Sequence, residues 1–339
     1  MTHSVTQAKA QDLVHLFNAY TIVEQPQREI HVPNASKLAA MQEVSVDGGV
    51  VLPKMIATKS VGTDKPALRP PAGKNKGYGL EGDGDLHLQV GVVTGPMKGR
   101  GHVGCEIQKA KGLLADFQAQ VGKPISVDGF FRCLFEHPGF GGKADAHIFE
   151  VHPVRFVDPL HGARHTFDVD VPEPQSVHFW KGQGKGGMDA NVVDAAMKVR
   201  YDRPTDTLVF TGMRTGIPPL DKNYVQVKGT MASVKATTLD EISTFRFSSS
   251  DIARSPMDVI CLPRTRAKTQ LATLSKQGTT TVWLVALRNI DLAAATATPP
   301  TYRINLLAID VGDGAKGPVV PLKEMCTACQ GKPTRGSKA

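Results

Sequence analysis

Two separated stretches of this 339-residue chain repeat one order of short elements, and that repetition limits the folds open to it. Apolar and polar residues alternate with period two in "DLHLQVGVV" (85–93) and "GHVGCEIQ" (101–108), the pattern of half-buried strands. "AKGLLADFQAQVG" (110–122) then places Leu113, Leu114, Phe117 and Val121 on one side of a helix, and "PISVDGFFRCLFEH" (124–137) and "AHIFEVHPVRFVD" (146–158) return to strands. With an earlier extended run at "MIATKSVG" (55–62), the order is three strands, a helix and two strands. The second stretch runs "NYVQVKGTMASVKATT" (223–238), "ISTFRFSS" (242–249), "PMDVICLP" (256–263), the helical "AKTQLATLSKQG" (267–278), "TTVWLVALRNIDL" (280–292) and "TYRINLLAIDVG" (301–312). Only the order recurs; the residues do not.

Three strands, a helix and two more strands is the order of an OB-fold, a small five-stranded barrel. The expectation is a mainly β chain of two tandem OB-fold-like barrels with an N-terminal helical arm and a mobile basic C-terminal tail. Its boundaries are a helical arm over 1–48, a first barrel over 49–165, linker and accessory strands over 166–222, a second barrel over 223–315 and a flexible tail over 316–339. In the arm, Leu13, Val14, Phe17 and Tyr20 fall at helical spacing over residues 6–20. Gly229 sits inside a long strand, where a strongly bent first barrel strand needs it. "AAMKVRYDRPTDTLVFTGM" reads as a hairpin turning at "DRPTD", and the Pro-, Gly- and Lys-rich segment Asp64–Asp85 as a long exposed loop. With 33 Gly, 23 Pro and 6% aromatics, short strands joined by many turns fit the composition.

No apolar run is long enough for a membrane span, and the N-terminus lacks a signal-peptide pattern. Five cysteines, an odd number, argue against a disulfide framework. These features lead to the expectation of a cytoplasmic protein with no membrane partner. A formal net charge of +8 and a pI near 9.2 make polyanions natural partners, since Lys and Arg beside phosphates release counterions.

The residues "GDLHL", "GFFRCLFEH" and "EVHPV" resemble a bacterial domain of uncharacterised, OB-like proteins. The resemblance is carried over 82–157 by Gly84, Asp85, His87 and Leu88, by Glu106 and Ile107, by Gly129, Phe130, Phe131 and His137, and by Glu150, His152, Pro153 and Val154. It implies a fold and no particular activity. The run Asp83, Gly84, Asp85 leading into an alternating strand is also similar to the staphylococcal-nuclease type of OB barrel. That likeness implies a metal-dependent phosphodiesterase using Asp83, Asp85 and Glu106. The Arg expected in the next strand is missing there, and Arg100 stands in the preceding turn.

Seven of the eleven histidines lie between His87 and His165. Asp85, His87, Glu150 and His152 assemble a zinc or manganese site if their two strands are neighbours, because imidazole and carboxylate suit those ions. The leading reading is instead barrel wall: Glu150 and His152, on one face of a strand, hydrogen-bond across the barrel mouth and Pro153 marks an edge, with His147 on the opposite face unless a bulge intervenes. "CTAC" holds Cys326 and Cys329 at the spacing of half a zinc site or a redox pair, so zinc is the cofactor this pair would hold. Cys105 and Cys133 read as small apolar fillers. Phosphate-binding loop, nucleophile-elbow and zinc-protease motifs are absent from the sequence, which leans against an enzyme.

OB barrels present ligands between the loops joining their first and second and their fourth and fifth strands. In the first barrel these loops combine glycine, cation and ring: Lys74, Lys76 and Tyr78 in one, Phe140 and Lys143 in the other. Lys98 and Arg100 lie in a nearby turn, and Trp180 sits between Lys181 and Lys185 in the linker, where it either stacks a base or packs a domain junction. The leading expectation is a non-enzymatic protein binding single-stranded nucleic acid, DNA ahead of RNA. The alternative is a protein-interaction or assembly component built on the same barrels.

Overall fold

A computed structural model describes residues 5–24, 26–52, 85–92, 101–137, 147–169, 174, 177–181, 190–213 and 224–321. The N-terminal part supplies β1 (Val5–Lys9), the helix Ala10–Phe17, β2 (Thr21–Val23), β3 (Glu29–Pro33) and the helix Ala35–Ala39. After it come β4 (Glu43–Val51), β5 (Leu86–Gly91), β6 (Val103–Ile107), the helix Leu114–Gln118, β7 (Pro124–His137), β8 (His147–Leu160) and β9 (Ala163–Thr166). The middle holds β10 (Val177–Phe179), the helix Ala190–Ala196, β11 (Lys198–Asp202) and β12 (Thr207–Thr211). The last part comprises β13 (Tyr224–Lys235), β14 (Ser243–Ser248), β15 (Met257–Cys261), the helix Arg266–Lys276, β16 (Thr281–Ile290), the helix Leu292–Ala295 and β17 (Ile304–Asp313).

The architecture is mainly β. In the C-terminal sheet the order is β10-β13-β14-β15-β17-β16, and β13 also pairs β16, which closes five strands into a barrel. Closure needs one strand to serve two neighbours, and β13 does so by bending. Its first half, Tyr224 to Thr230, pairs β16, and from Thr230 onward it pairs β14. Gly229 stands at that bend, where a Cβ would come within 2.3 Å of the Ser248 carbonyl oxygen. Only a residue without a side chain fits there. Inward residues Phe245, Phe247, Val259, Leu284 and Leu306 are fully buried, as alternation requires. The helix Arg266–Lys276 starts at Thr265, whose hydroxyl accepts from the Lys268 amide at 3.4 Å, and it buries Ala267, Leu271 and Leu274. Gln270 Oε1 accepts from the Val311 amide at 2.9 Å and ties the helix to β17.

The N-terminal sheet has the order β1-β4-β5-β6-β8-β7 with β9 on β8, and β4 pairs β7 as well. Within it β6 and β8 run parallel, as β15 and β17 do in the other sheet. Its first long strand is β4, ahead of the expected barrel start at residue 49; the expected strand at 55–62 lies outside the described residues.

The N-terminal segment is not the separate helical arm the sequence suggested. Only Ala10–Phe17 and Ala35–Ala39 are helical, while β1 adds to β4 in parallel and β3 pairs both β2 and β12. The expected hairpin, β11 and β12, therefore continues into β3 and β2 as a four-stranded sheet. Leu13, Val14 and Phe17 are buried, with the Phe17 ring 5.3 Å from Phe131 and 5.7 Å from Phe149. Tertiary burial of these apolar residues draws the segment into the body of the protein.

The two main sheets share a junction. Phe130 of β7 packs in one cluster with Tyr224, Val285, Leu287 and Leu307. Arg132 Nε donates to the Arg288 carbonyl at 2.9 Å, and the Cys133 amide donates to Asn289 Oδ1 at 2.8 Å.

Candidate functional site

Strand register builds a polar face on β5, β6 and β8. His87 lies opposite Glu106, and Gln89 opposite Gly104. Gly104 in turn lies beside Glu150, and Glu150 opposite Arg132. Two residues further along the parallel pair, Glu106 falls beside His152. One side of these strands turns Leu86, Leu88, Val103, Cys105, Ile107 and Val151 into the apolar core. By alternation the other side carries Asp85, His87, Glu106, Gln108, Glu150 and His152. β5 and β8 are not neighbours: β6 runs between them and contributes Glu106 at the centre.

At Asp85, Gln108 and His152 that outward face is closed to water by Tyr224 of β13, while His87 and His147 at its other end are half-buried. The Tyr224 hydroxyl donates to Asp85 Oδ2 at 2.5 Å, accepts from Gln108 Nε2 at 2.9 Å and lies 3.0 Å from His152 Nε2. A hydroxyl carries one proton, so the contact with His152 Nε2 is a bond that the ring donates. On its other side His152 Nδ1 is 2.6 Å from Glu106 Oε2 and 3.3 Å from Glu150 Oε1. His87 Nδ1 is 2.6 Å from Glu106 Oε1, and Arg132 pairs with Glu150. His147 Nε2 stands 3.6 Å from Glu150 Oε2. The β7–β8 register shifts between Cys133 and His137, with the extra residues on β7.

With a proton on each ring nitrogen, His152 is an imidazolium. Burial opposes that charge, but Glu106 and Glu150 outweigh it and push the pKa up to about 10. Burial likewise works against ionised Glu106 and Glu150; His87 and His152 around the first, and Arg132 beside the second, hold both carboxyls well below the usual range. The arrangement is a charge-compensated chain from Glu106 through His152 and Tyr224 to Asp85.

Of the residues expected to cut phosphodiesters, Asp83 lies outside the described residues, while Asp85 and Glu106 are 1% and 4% exposed. A scissile phosphate has no approach to groups shut beneath Tyr224. Of the residues expected to hold nucleic acid, Lys74, Lys76, Tyr78, Lys98, Arg100, Phe140, Lys143 and Lys185 lie outside the described residues, as do Cys326 and Cys329. Trp180 is a correction to the base-stacking expectation. It is 1% exposed, its Nε1 donates to Asn191 Oδ1 at 2.9 Å, and the Arg288 guanidinium stands 5.3 Å from the ring centroid. A ring so enclosed packs a junction and offers no face to a base. Lys181 beside it is exposed. Cys105 and Cys133 are buried fillers whose thiols burial pushes up.

Sequence reasoning did not find Tyr224, Arg132, Arg288 or Asp194. Arg288 pairs with Asp194 at 2.8 Å, and Tyr302 reaches the same carboxylate at 3.3 Å. Nothing in the local pattern distinguishes these residues from surface polar ones; they come together only because distant segments meet.

A second feature is open. A cleft of about 530 Å³ lies where the outward side of β14 and β15 meets β7 and the helix Ala35–Ala39. Thr244, Arg246, Asp258 and Ile260 form its β14–β15 wall, and Asn289 and Asn305, joined by an amide hydrogen bond of 2.9 Å, sit at one end. Arg246 and Asp258 pair at 2.8 Å. At the rim β13 bulges between Ala232 and Lys235, with Ser233 at φ 51°, which re-aims the strand next to the cleft. The volume falls in the range of small-molecule sites, about 300–1,000 Å³.

Compared with known proteins, the chain matches no family model and no curated sequence. No helix among the described residues is long and apolar enough to cross a membrane.

Proposed function

We propose that the chain is a tandem OB-fold protein that binds single-stranded nucleic acid without acting on it. The observation that carries the reading is topological. Numbering the barrel strands of each sheet one to five, β4, β5, β6, β7, β8 and β13, β14, β15, β16, β17 both pair as 1-2-3-5-4-1. In both the third and fifth strands are parallel and a helix lies between the third and fourth. This shared pairing supports the OB reading, in which the second and third strands carry the ligand face.

In the first sheet Tyr224 covers that face at Asp85, Gln108 and His152, which turns attention to the second barrel. In the second barrel the same face, β14 and β15, lines the open cleft. Ile260 gives a base an apolar seat, the Asn305 amide offers its Nδ2 to a base edge, and Arg246 and Lys235 stand where phosphates would pass. The net charge of +8 supports the same ligand class.

Fluorescence titration of an oligothymidylate at two salt concentrations tests the reading. Binding that weakens as salt rises is expected, with a shallower salt slope in Lys235→Glu/Arg246→Glu. Absence of binding at low salt, or binding indifferent to salt, would remove the proposal.

A further inference from the structure

Strand register sets polar side chains in one row across the outward face of the second barrel. Arg246 of β14 lies opposite Asp258 of β15. Val259 is paired with Leu306 of β17, so one step earlier on both parallel strands Asp258 stands beside Asn305. Asn305 in turn lies opposite Asn289 of β16. Thr244, Ile260, Leu307 and Leu287 form the next row on the same face. Arg246, Asp258 and Asn305 are half-buried and line the open cleft together with Ile260.

The hydrogen-bonding sense of the row is fixed from the sheet junction outward. The Cys133 amide can only donate, at 2.8 Å, so it is the oxygen of Asn289 that faces it. Asn289 then turns its Nδ2 to Asn305, which must answer with its own oxygen, at 2.9 Å. What Asn305 presents to the cleft is therefore Nδ2, a donor, and among the described residues no acceptor meets it. Asp258 accepts from Arg246 Nη1 through Oδ1 at 2.8 Å, and its Oδ2 remains to accept. A guanidinium has five N–H groups and this bond uses one, so Arg246 serves a base as well as a phosphate. Three neighbouring strands thus present donor, acceptor and donor in that order.

The complement of that row is an edge reading acceptor, donor, acceptor. Thymine and uracil carry it as carbonyl, ring N–H and carbonyl. Cytosine reads acceptor, acceptor, donor; guanine reads acceptor, donor, donor; adenine has one ring acceptor beside an amine. We propose that the cleft seats one thymine or uracil base, its ring on Ile260 and its imide edge on Arg246, Asp258 and Asn305. Neighbouring strands are about 4.8 Å apart and Arg246 already leans onto Asp258, so the three groups reach one planar edge. Ile260 follows Asp258 by two residues on the same side of β15, about 7 Å along, which puts an apolar surface under the ring. The inference rests on the strand-binding reading above and adds which base the strand must offer.

The test compares equal-length, identically labelled oligomers of thymidine, deoxycytidine and deoxyadenosine by fluorescence anisotropy at low salt. A thymidine oligomer methylated at N3 and free thymidine monophosphate are further probes. Thymidine is expected to bind roughly fivefold or more tighter than the other two, and N3 methylation to remove that advantage. Asn305→Asp keeps the oxygen that Asn289 reaches and turns the free donor into an acceptor, so it should erase the preference while weaker, salt-dependent binding of all three persists. If Asn305→Asp does not fold, the N3-methyl probe on the parent protein decides. Equal affinity for the three oligomers, indifference to N3 methylation, or an unchanged preference in folded Asn305→Asp overturns the imide seat and leaves strand binding standing. Uptake of thymidine monophosphate with refusal of every oligomer keeps the seat and removes strand binding; refusal of every probe removes both.

Discussion

The Tyr224 hydroxyl makes three hydrogen bonds in a place closed to water, so its removal strands groups on both sides of it. Tyr224→Phe keeps the ring and leaves Asp85 and His152 each short of a buried partner. A loss of about 1–3 kcal/mol is expected in urea unfolding, against less than about 0.5 kcal/mol for Lys181→Ala on the surface. Equal effects for the two variants would show that the chain of bonds contributes nothing. Asp291 shows the opposite case. Burial raises its carboxyl above the ordinary 3.8, even though its Oδ1 accepts from the Ala294 amide at 3.0 Å and caps the helix Leu292–Ala295. The fold therefore favours the protonated form. That contribution is complete below pH 3.8 and is lost as pH rises through the raised value. Asp291→Asn keeps a capping oxygen and removes the charge, so the variant should melt higher than the parent at pH 7 and show no advantage below pH 3.8. A melting point unchanged at pH 7 counts against the argument.

At the scale of elements, bends and caps decide whether β13 and its helix can close a barrel. A Cβ at Gly229 meets a backbone oxygen rather than the end of a flexible side chain. Gly229→Ala is expected to cost about 1–3 kcal/mol, read from the denaturation midpoint. Thr265→Ala, which loses a cap and leaves every strand intact, should cost about 0.5–2 kcal/mol. If Gly229→Ala is neutral, the switch of β13 between two partners does not depend on a close approach. The strands themselves were readable because alternation of period two survives in "DLHLQVGVV" and "TFRFSS", and the helix Arg266–Lys276 was read from "AKTQLATLSKQG". Only the end of β4 is expected from the sequence: residues from 49 onward fall in the first barrel, while "EVSVD" ahead of them falls in the helical arm. The N-terminal strands are short, and only pairing with β4 and β12 makes them strands.

At the scale of the molecule, the two main sheets are joined through buried charge. Arg132 is bonded to Glu150 within its own sheet and to the Arg288 carbonyl of the other. Arg132→Met leaves Glu150 buried without its guanidinium, a change that should cost about 3–5 kcal/mol. The double variant Arg132→Met/Glu150→Gln should recover part of that loss, and a double variant as unstable as the single would mean that packing, not charge, is what Arg132 supplies. Calorimetry of the parent protein should show one transition, because the junction ties both sheets into one unit. Two separate transitions would show that the sheets unfold independently.

The β-rich class, the succession of strands and helix from residue 223 onward and the face that Glu150 and His152 share could be read from the sequence, because alternation and turn residues act over a few positions. It also marked Asp85, His87 and Glu106 as chemically capable groups. Only the tertiary structure decided that β6 would stand between β5 and β8, that Tyr224 would close over their outer face and that Trp180 would be enclosed. Those outcomes depend on which surfaces of distant segments come into contact, and burial of one segment by another leaves no periodic trace in either.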